Sequence, residues 1–391
     1  MVKEKINRRS AARWHASQES DEFVFSVCDR YFVQLGQSSQ ASESDEGKTR
    51  GAASSVADWI QKEKGRHDIT REKIYPLFWE ACRRGFLLLQ PPPEHNLEKK
   101  LINRYSLTNY LGKITVVNIN GDSAAQHVTS TAADQIVDLI DRVWKAKQRQ
   151  FPNEPEKHAV HLGMGAGYAT MLVARRLAYK IRSGSEIPKL ILHAISSGGF
   201  LPNEPHKSPS TYFSYFDPAL MNIEFVALFS ATVVGSGDYE KQKENPAVKY
   251  SFAQRDKIDI IVTSLAVAEH EHGLLGHYLE HLVAQDLLPR DTLLKMQDAG
   301  WIGDVQFRPY SASGPLQDVC PVRAVTLFEL DELVDIAKDI ENGKYVVLVA
   351  GPCGECGETK QNALRPLLEN PSLRLWTHII TDARTAKELL D

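Results

Sequence analysis

Residues 158–181 read HAVHLGMGAGYATMLVARRLAYKI. The first six residues have the β-rich, apolar character of a short strand. The last thirteen carry apolar residues at helical spacing. Between them lie Gly163, Gly165 and Gly167, followed by Tyr168, Ala169 and Thr170. A strand that passes through glycines into a helix is the start of a βα unit. Glycine lets the backbone approach a ligand closely, and a helix N-terminus presents unpaired N–H groups to an anion. The spacing departs from GxGxxG, because the third glycine follows two residues after the second, and the Lys-Ser/Thr pair of a P-loop is missing. The stretch is read as a phosphate cradle; the plain alternative is a tight turn without a ligand.

Working outward, the same alternation continues. KITVVNI (113–119), KLILHAI (189–195), IEFVALF (223–229), DIIVTSL (259–265), YVVLVAG (345–351) and LWTHIIT (375–381) are strand candidates, and SAAQHVTSTAADQIVDLIDRVWKAKQ (123–148) is a long amphipathic helix. Strands that alternate with helices predict an α/β fold with a parallel sheet covered on both faces.

The N-terminal third reads differently. DEFVFSVCDRYFVQ (21–34) has helical spacing at Phe25, Cys28 and Phe32, although its β-branched and aromatic content leaves a strand open. Residues 36–54, rich in Ser, Gly and charge, are expected to be a flexible insertion. Ser55 is a candidate cap for VADWIQKEK, and Thr70 for REKIYPLFWEACRRG, where Pro76 predicts a kink or a shifted boundary. FLLLQ (86–90) reads as a strand, PPPEH as a rigid corner and NLEKKLINRYSL (96–107) as a connecting helix. Helix, turn, helix, strand and corner is the order of a winged helix-turn-helix, which places a head at 1–110 and a body at 111–391. Thr70, Arg71 and Lys73 at the start of the second long helix of the head, and Arg83 near its end, are the candidate contacts to duplex DNA. A solvated helix face in a protein-interaction module is the alternative.

Charge is consistent with that division. Residues 1–110 hold 18 Lys/Arg against 15 Asp/Glu, and the remainder 28 against 35, within a chain of net charge −4. A basic head on an acidic body suits contact with a polyanion. Five cysteines in 391 residues do not make a disulfide framework and point to a reducing, cytoplasmic setting. No apolar run is long enough to predict a membrane span, and the basic start lacks the apolar stretch of a secretory signal.

Three further stretches carry chemistry. His277-Tyr278-Leu279-Glu280-His281 matches H-x-x-E-H, with His270 and His272 upstream. No third ligand is evident, so a charged helix face is preferred and no metal site is assigned. GPCGECGETK (351–360) contains a C-x-x-C that has no partner pair. It is read as a ligand-facing loop at a strand end, with Lys360 as a point charge for phosphate; a glycine-rich surface turn is the alternative. In GWIGD (300–304), Asp304 can accept hydrogen bonds from sugar hydroxyls; taken alone, the stretch is only a turn signal.

In this order the pieces resemble the SorC family of sugar-responsive transcription regulators, over roughly residues 55–391. The resemblance is carried by ACRRGFLLLQPPPEHNLEKKLINRYSL, by HLGMGAGYATMLVARRLA, by the Asp259-led strand IIVTSLA, by GWIGD, and by VVLVAG with Lys360 and Thr381-Asp382-Ala383-Arg384-Thr385-Ala386. It implies a Rossmann-like body similar to ribose-5-phosphate isomerase and glucosamine-phosphate deaminase, behind a winged helix-turn-helix head. It also implies phosphosugar binding without turnover or cofactor, and homo-oligomers (dimers or tetramers) that bind DNA. By position, Gly163, Gly165, Gly167 and Lys360 would hold phosphate and Asp304 the sugar, with Tyr168, Thr170 and Asp259 in the same motifs. The chain departs from the family where Ala169 replaces a threonine, Ser264-Leu265-Ala266 replaces a G-I-G, and CGECGE precedes Lys360. The alternatives are a sugar-phosphate isomerase or deaminase of the same fold, or a carbohydrate-binding protein that does not bind DNA.

Overall fold

The computed structural model describes residues 14–41, 51–87, 90–121, 123–183, 187–198, 204–219, 221–268 and 272–391. The chain divides into two compact units, Met1–Gln90 and Pro91–Asp391.

Among its described residues the first unit is helical. Its helices are α1 (Asp21–Ala41), α2 (Ala52–Lys64) and α3 (Arg71–Arg84). Val24, Val27, Val56, Ile60, Ile74 and Leu77 are buried between them. α2 stops at Gly65, whose φ of 64° suits a residue without a Cβ and whose amide bonds back to the Ile60 carbonyl. The turn that follows is bolted by Arg66, which reaches Glu19 at 2.8 Å and Asp68 at 2.7 Å.

Several expectations for this unit change. The insertion expected at 36–54 is partly helical: 36–41 continue α1, Gly51 caps α2 and 52–54 lie inside it, while 42–50 fall outside the described residues. Ser55 is therefore internal to α2 and not its cap. Thr70 occupies the N-cap position of α3, yet its side chain makes no capping bond. α3 runs through Pro76 without interruption; the proline is exposed and forfeits a single intrahelical bond near the first turn. The strand expected at FLLLQ is absent at Phe86 and Leu87, whose amides fold back onto the Ala81 carbonyl as a helix terminus, and Leu88 and Leu89 lie outside the described residues.

The second unit begins twenty residues before the expected boundary at 110. Helix α4 (His95–Arg104) buries Leu97 and Leu101 in the core of the body. Just beyond it, the Tyr105 hydroxyl donates to the Leu389 carbonyl at 2.7 Å. The connector is thus part of the body.

The strands are β1 (Lys113–Val117), β2 (Val160–Met164), β3 (Leu190–Ala194), β4 (Ile223–Val226), β5 (Val233–Gly235), β6 (Ile260–Val267), β7 (Gly303–Val305), β8 (Arg308–Ser311), β9 (Gly314–Pro315), β10 (Val322–Ala324), β11 (Tyr345–Ala350) and β12 (His378–Asp382). The main sheet runs β1-β12-β11-β6-β2-β3-β4. All six of these pairings are parallel. Each strand candidate of the body is present, and the mixed α/β fold with a mostly parallel sheet is as expected. The long helices α5 (Ala124–Gln150) and α6 (Tyr168–Ser183) pack on each other, and the helix Leu330–Lys338 packs on β11. Every residue of β11 is buried, so both faces of the sheet are covered there. Unforeseen is the antiparallel run β7-β8-β9, which attaches to the C-terminal half of β6, with Ala266 opposite Asp304. None of the described helices is long and apolar enough to cross a membrane.

Candidate functional site

β2, β6 and β11 end side by side. From β2 the chain turns outward to β3 and β4, whereas β6 is followed on its other side by β11 and β12. A reversal of strand order opens a crevice at the carboxyl ends of the strands. A cavity of about 100 Å³ lies there, lined by Gly167–Ala169, Ser264–Val267, Gly351–Glu355, Lys207, Asp304 and Lys360, among others.

The glycines serve the turn more than the ligand. Gly163 is inside β2, where a Cβ would stand 2.7 Å from Ile195 Cγ2, and it does not line the cavity. The Gly165 amide donates to the Val262 carbonyl (3.0 Å), the Ala166 amide to Ser196 Oγ (2.9 Å) and the Gly167 amide to the Lys207 carbonyl (2.9 Å). Tyr212 donates its hydroxyl to the Gly165 carbonyl. Those three amides are therefore spent on knitting the turn to its neighbours. The cradle expected at Gly163–Gly167 moves one step along the chain, to the first turn of α6, where the amides of Tyr168, Ala169 and Thr170 have no partner within the helix. Tyr168 and Ala169 line the cavity. The Thr170 side chain does not, since it is buried and donates to the Gly167 carbonyl at 2.9 Å.

Two lysines reach the cavity. Lys360 immediately precedes the helix Gln361–Glu369 and donates through Nζ to the Leu265 carbonyl at 2.8 Å. Burial lowers its pKa, against the pull of the Cys353 thiol and Asp304. Lys207, invisible to motif reasoning, is brought in by the bond from the Gly167 amide to its own carbonyl. Its Nζ contacts Glu204 at 2.7 Å and Glu355 at 3.1 Å. Burial opposes its charge, but those two carboxylates outweigh burial and raise its pKa. Asp304, only 4% exposed, sits in β7 opposite Ala266. Burial pushes its pKa up to about 7, although the Phe307 amide and Lys360 pull the other way.

Asp259 does not belong to this site. It precedes β6, at the opposite end of an eight-residue strand that spans about 25 Å. There its carboxylate meets Lys147 Nζ at 2.5 Å and accepts from the His161 amide at 2.9 Å, a structural role.

The remaining motifs divide. Cys353 and Glu355 line the cavity mouth, with both cysteines of the C-x-x-C free, so this stretch is a cavity-facing loop. His272 contacts Glu355 at 3.0 Å through Nδ1. His277 and His281 lie on the helix Leu274–Ala284, and no cluster of metal ligands exists among the described residues. His270 lies outside the described residues. In the first unit, Thr70 and Arg71 are exposed at the start of α3. Lys73, half-buried, bonds the Asp68 carbonyl at 2.6 Å and lies over the Trp14 ring, and Arg83 pairs with Glu80 at 2.6 Å.

Fold and cavity together define a two-unit α/β protein with an all-helical first unit, as far as it is described, and an anion-compatible crevice at a strand-order reversal. No family model and no curated protein matches the sequence. Solved structures do. The full-length sorbitol operon regulator SorC from Klebsiella pneumoniae is similar over 95% of this chain and 100% of its own, at 16% identity and TM-score 0.55. A DeoR family transcriptional regulator from Listeria monocytogenes is similar over 75% of this chain and 98% of its own, at 16% identity and TM-score 0.51. A probable sor operon regulator from Shigella flexneri gives the same coverage, 16% identity and TM-score 0.53. The chain shares its fold with these SorC- and DeoR-type regulators.

Proposed function

We propose that the chain is a transcription regulator whose second unit binds a phosphorylated sugar and whose first unit binds duplex DNA. The observation that carries the effector half is one cavity containing the first-turn amides of α6, two lysines and the buried carboxyl of Asp304. The amides and Lys360 suit a phosphate; Asp304 suits a hydroxyl. Fold-sharing with regulators whose names refer to sorbitol and to transcription supports the same reading. The five free cysteines are compatible with a reducing cytoplasm, and a dimer or tetramer is the assembly proposed.

A thermal-shift screen against triose, pentose and hexose phosphates tests the effector half. A ligand at about 100 times its Kd stabilises by about 2.7 kcal/mol. No shift with any of them rejects it.

For DNA, the exposed face of α3 carries Arg71, Tyr75, Trp79 and Arg83 at four-residue intervals. Binding to genomic fragments is expected to weaken steeply with salt, and Arg71→Ala is expected to reduce the log–log salt slope by about 1. Absent or salt-insensitive binding rejects this half.

A further inference from the structure

Gln306 lines the cavity, is 5% exposed, and has no hydrogen-bond partner at either Oε1 or Nε2. Resting on the effector-site reading above, we propose that Gln306 reads the hydroxyl pattern of the ligand: its carboxamide offers a donor and an acceptor to a polyhydroxylated molecule lying beside Asp304.

The local backbone is built to aim this side chain. β7 and β8 are joined by two residues alone, Gln306 and Phe307, with Val305 opposite Arg308. Both have positive φ, 52° and 62°, as a two-residue hairpin turn demands, though neither is the Asn or Gly that adopts it without cost. The turn is held from the far side. Phe307 is buried in an apolar cluster with Leu275, Met296 and Trp301, and its amide bonds the Asp304 carboxyl. With Phe307 anchored, Gln306 is left facing the cavity. Gly165, in the turn before α6, packs beside the Gln306 side chain, where a Cβ would stand 3.6 Å from Gln306 Cγ, an ordinary contact.

The chemistry then selects one part of the ligand. A buried amide with both ends unpaired is costly unless a ligand completes it. A hydroxyl both donates and accepts, so two adjacent hydroxyls satisfy Oε1 and Nε2 together. A phosphate dianion accepts only and would leave Oε1 unpaired. Gln306 therefore belongs with the carbohydrate portion, and the anionic end belongs with the first turn of α6 and Lys360.

The test uses the full chain, calorimetry and a fixed panel: glyceraldehyde 3-phosphate, ribose 5-phosphate, 2-deoxyribose 5-phosphate, fructose 6-phosphate, glucose 6-phosphate and inorganic phosphate. The wild type is expected to bind at least one sugar phosphate more than tenfold tighter than inorganic phosphate. Gln306→Met is expected to weaken that ligand by about 10- to 100-fold. It should leave the affinity for inorganic phosphate unchanged and melt, without ligand, no lower than the wild type, because it removes an unpaired buried amide. Gln306→Asn keeps an amide and should fall between the two. Wild-type affinity in Gln306→Met overturns the assignment of Gln306 and leaves the effector site standing. Equal losses for the sugar phosphate and for inorganic phosphate also overturn it, by showing general damage to the pocket. A wild type that binds none of the sugar phosphates overturns the effector reading and this inference with it.

Discussion

Asp304 holds its carboxyl out of water, with the Phe307 amide and Lys360 as its polar neighbours. In an unfolded chain an aspartate titrates near 4; here it does so at about 7. Between those values the native state keeps a proton that the unfolded state has released, so stability falls as pH rises through the window and levels above 7. In Asp304→Asn that slope is expected to flatten, which urea midpoints at pH 5, 6, 7 and 8 will show. The same residue links pH to binding. An anion in the cavity favours the protonated forms of both Asp304 and Lys360, so binding takes up protons and affinity declines as pH rises past 7. Calorimetry in buffers of different ionisation enthalpy measures the uptake; proton release on binding contradicts it. Asp304 and Lys360 were legible in the sequence because each sits in a short motif at a strand or helix end. Lys207 and Gln306 were not, since a long-range backbone bond and a turn without Asn or Gly bring them in.

The turn between β2 and α6 shows how one element divides its labour. Its glycine amides bind neighbouring strands and loops, and the helix end behind them remains for an anion. A glycine-rich pattern announces close approach, but not whether the approaching group is ligand or protein. At the other end of the sheet, Lys147 on α5 ties that helix to Asp259 ahead of β6. Asp259 is buried, which raises its pKa against the pull of Lys147. Lys147→Met would strand this carboxyl and is expected to cost about 3–5 kcal/mol in unfolding free energy, or less where the acid protonates. Because Asp259 lies five residues, about 17 Å, before Ser264, where β6 first lines the cavity, sugar-phosphate affinity should not change. Lost affinity in a folded variant would return Asp259 to the site.

As a whole, the molecule joins a helical unit with a basic-aromatic face on α3 to an α/β unit with an anion-compatible cavity. The proposed regulation requires the two bindings to be coupled, and thermodynamics makes the coupling reciprocal. The factor by which a sugar phosphate changes the DNA affinity should equal the factor by which DNA changes the sugar-phosphate affinity. Titrations of each ligand with the other saturating measure both. Two independent affinities would mean that the units share a chain without communicating.

The alternation that makes a parallel sheet and the βα turn at Gly163–Gly167 could be read from the chain alone, because periodicity and turn chemistry are local; Asp304 and Lys360 stood out through short motifs at fixed places in that alternation. That the connecting helix belongs to the body, that Asp259 lies away from the crevice, and that Lys207 and Gln306 line it emerged only in the folded molecule. Those outcomes depend on which strand lies beside which and on where each backbone amide finds its partner. Such pairings join residues tens to hundreds of positions apart, and no local pattern encodes them.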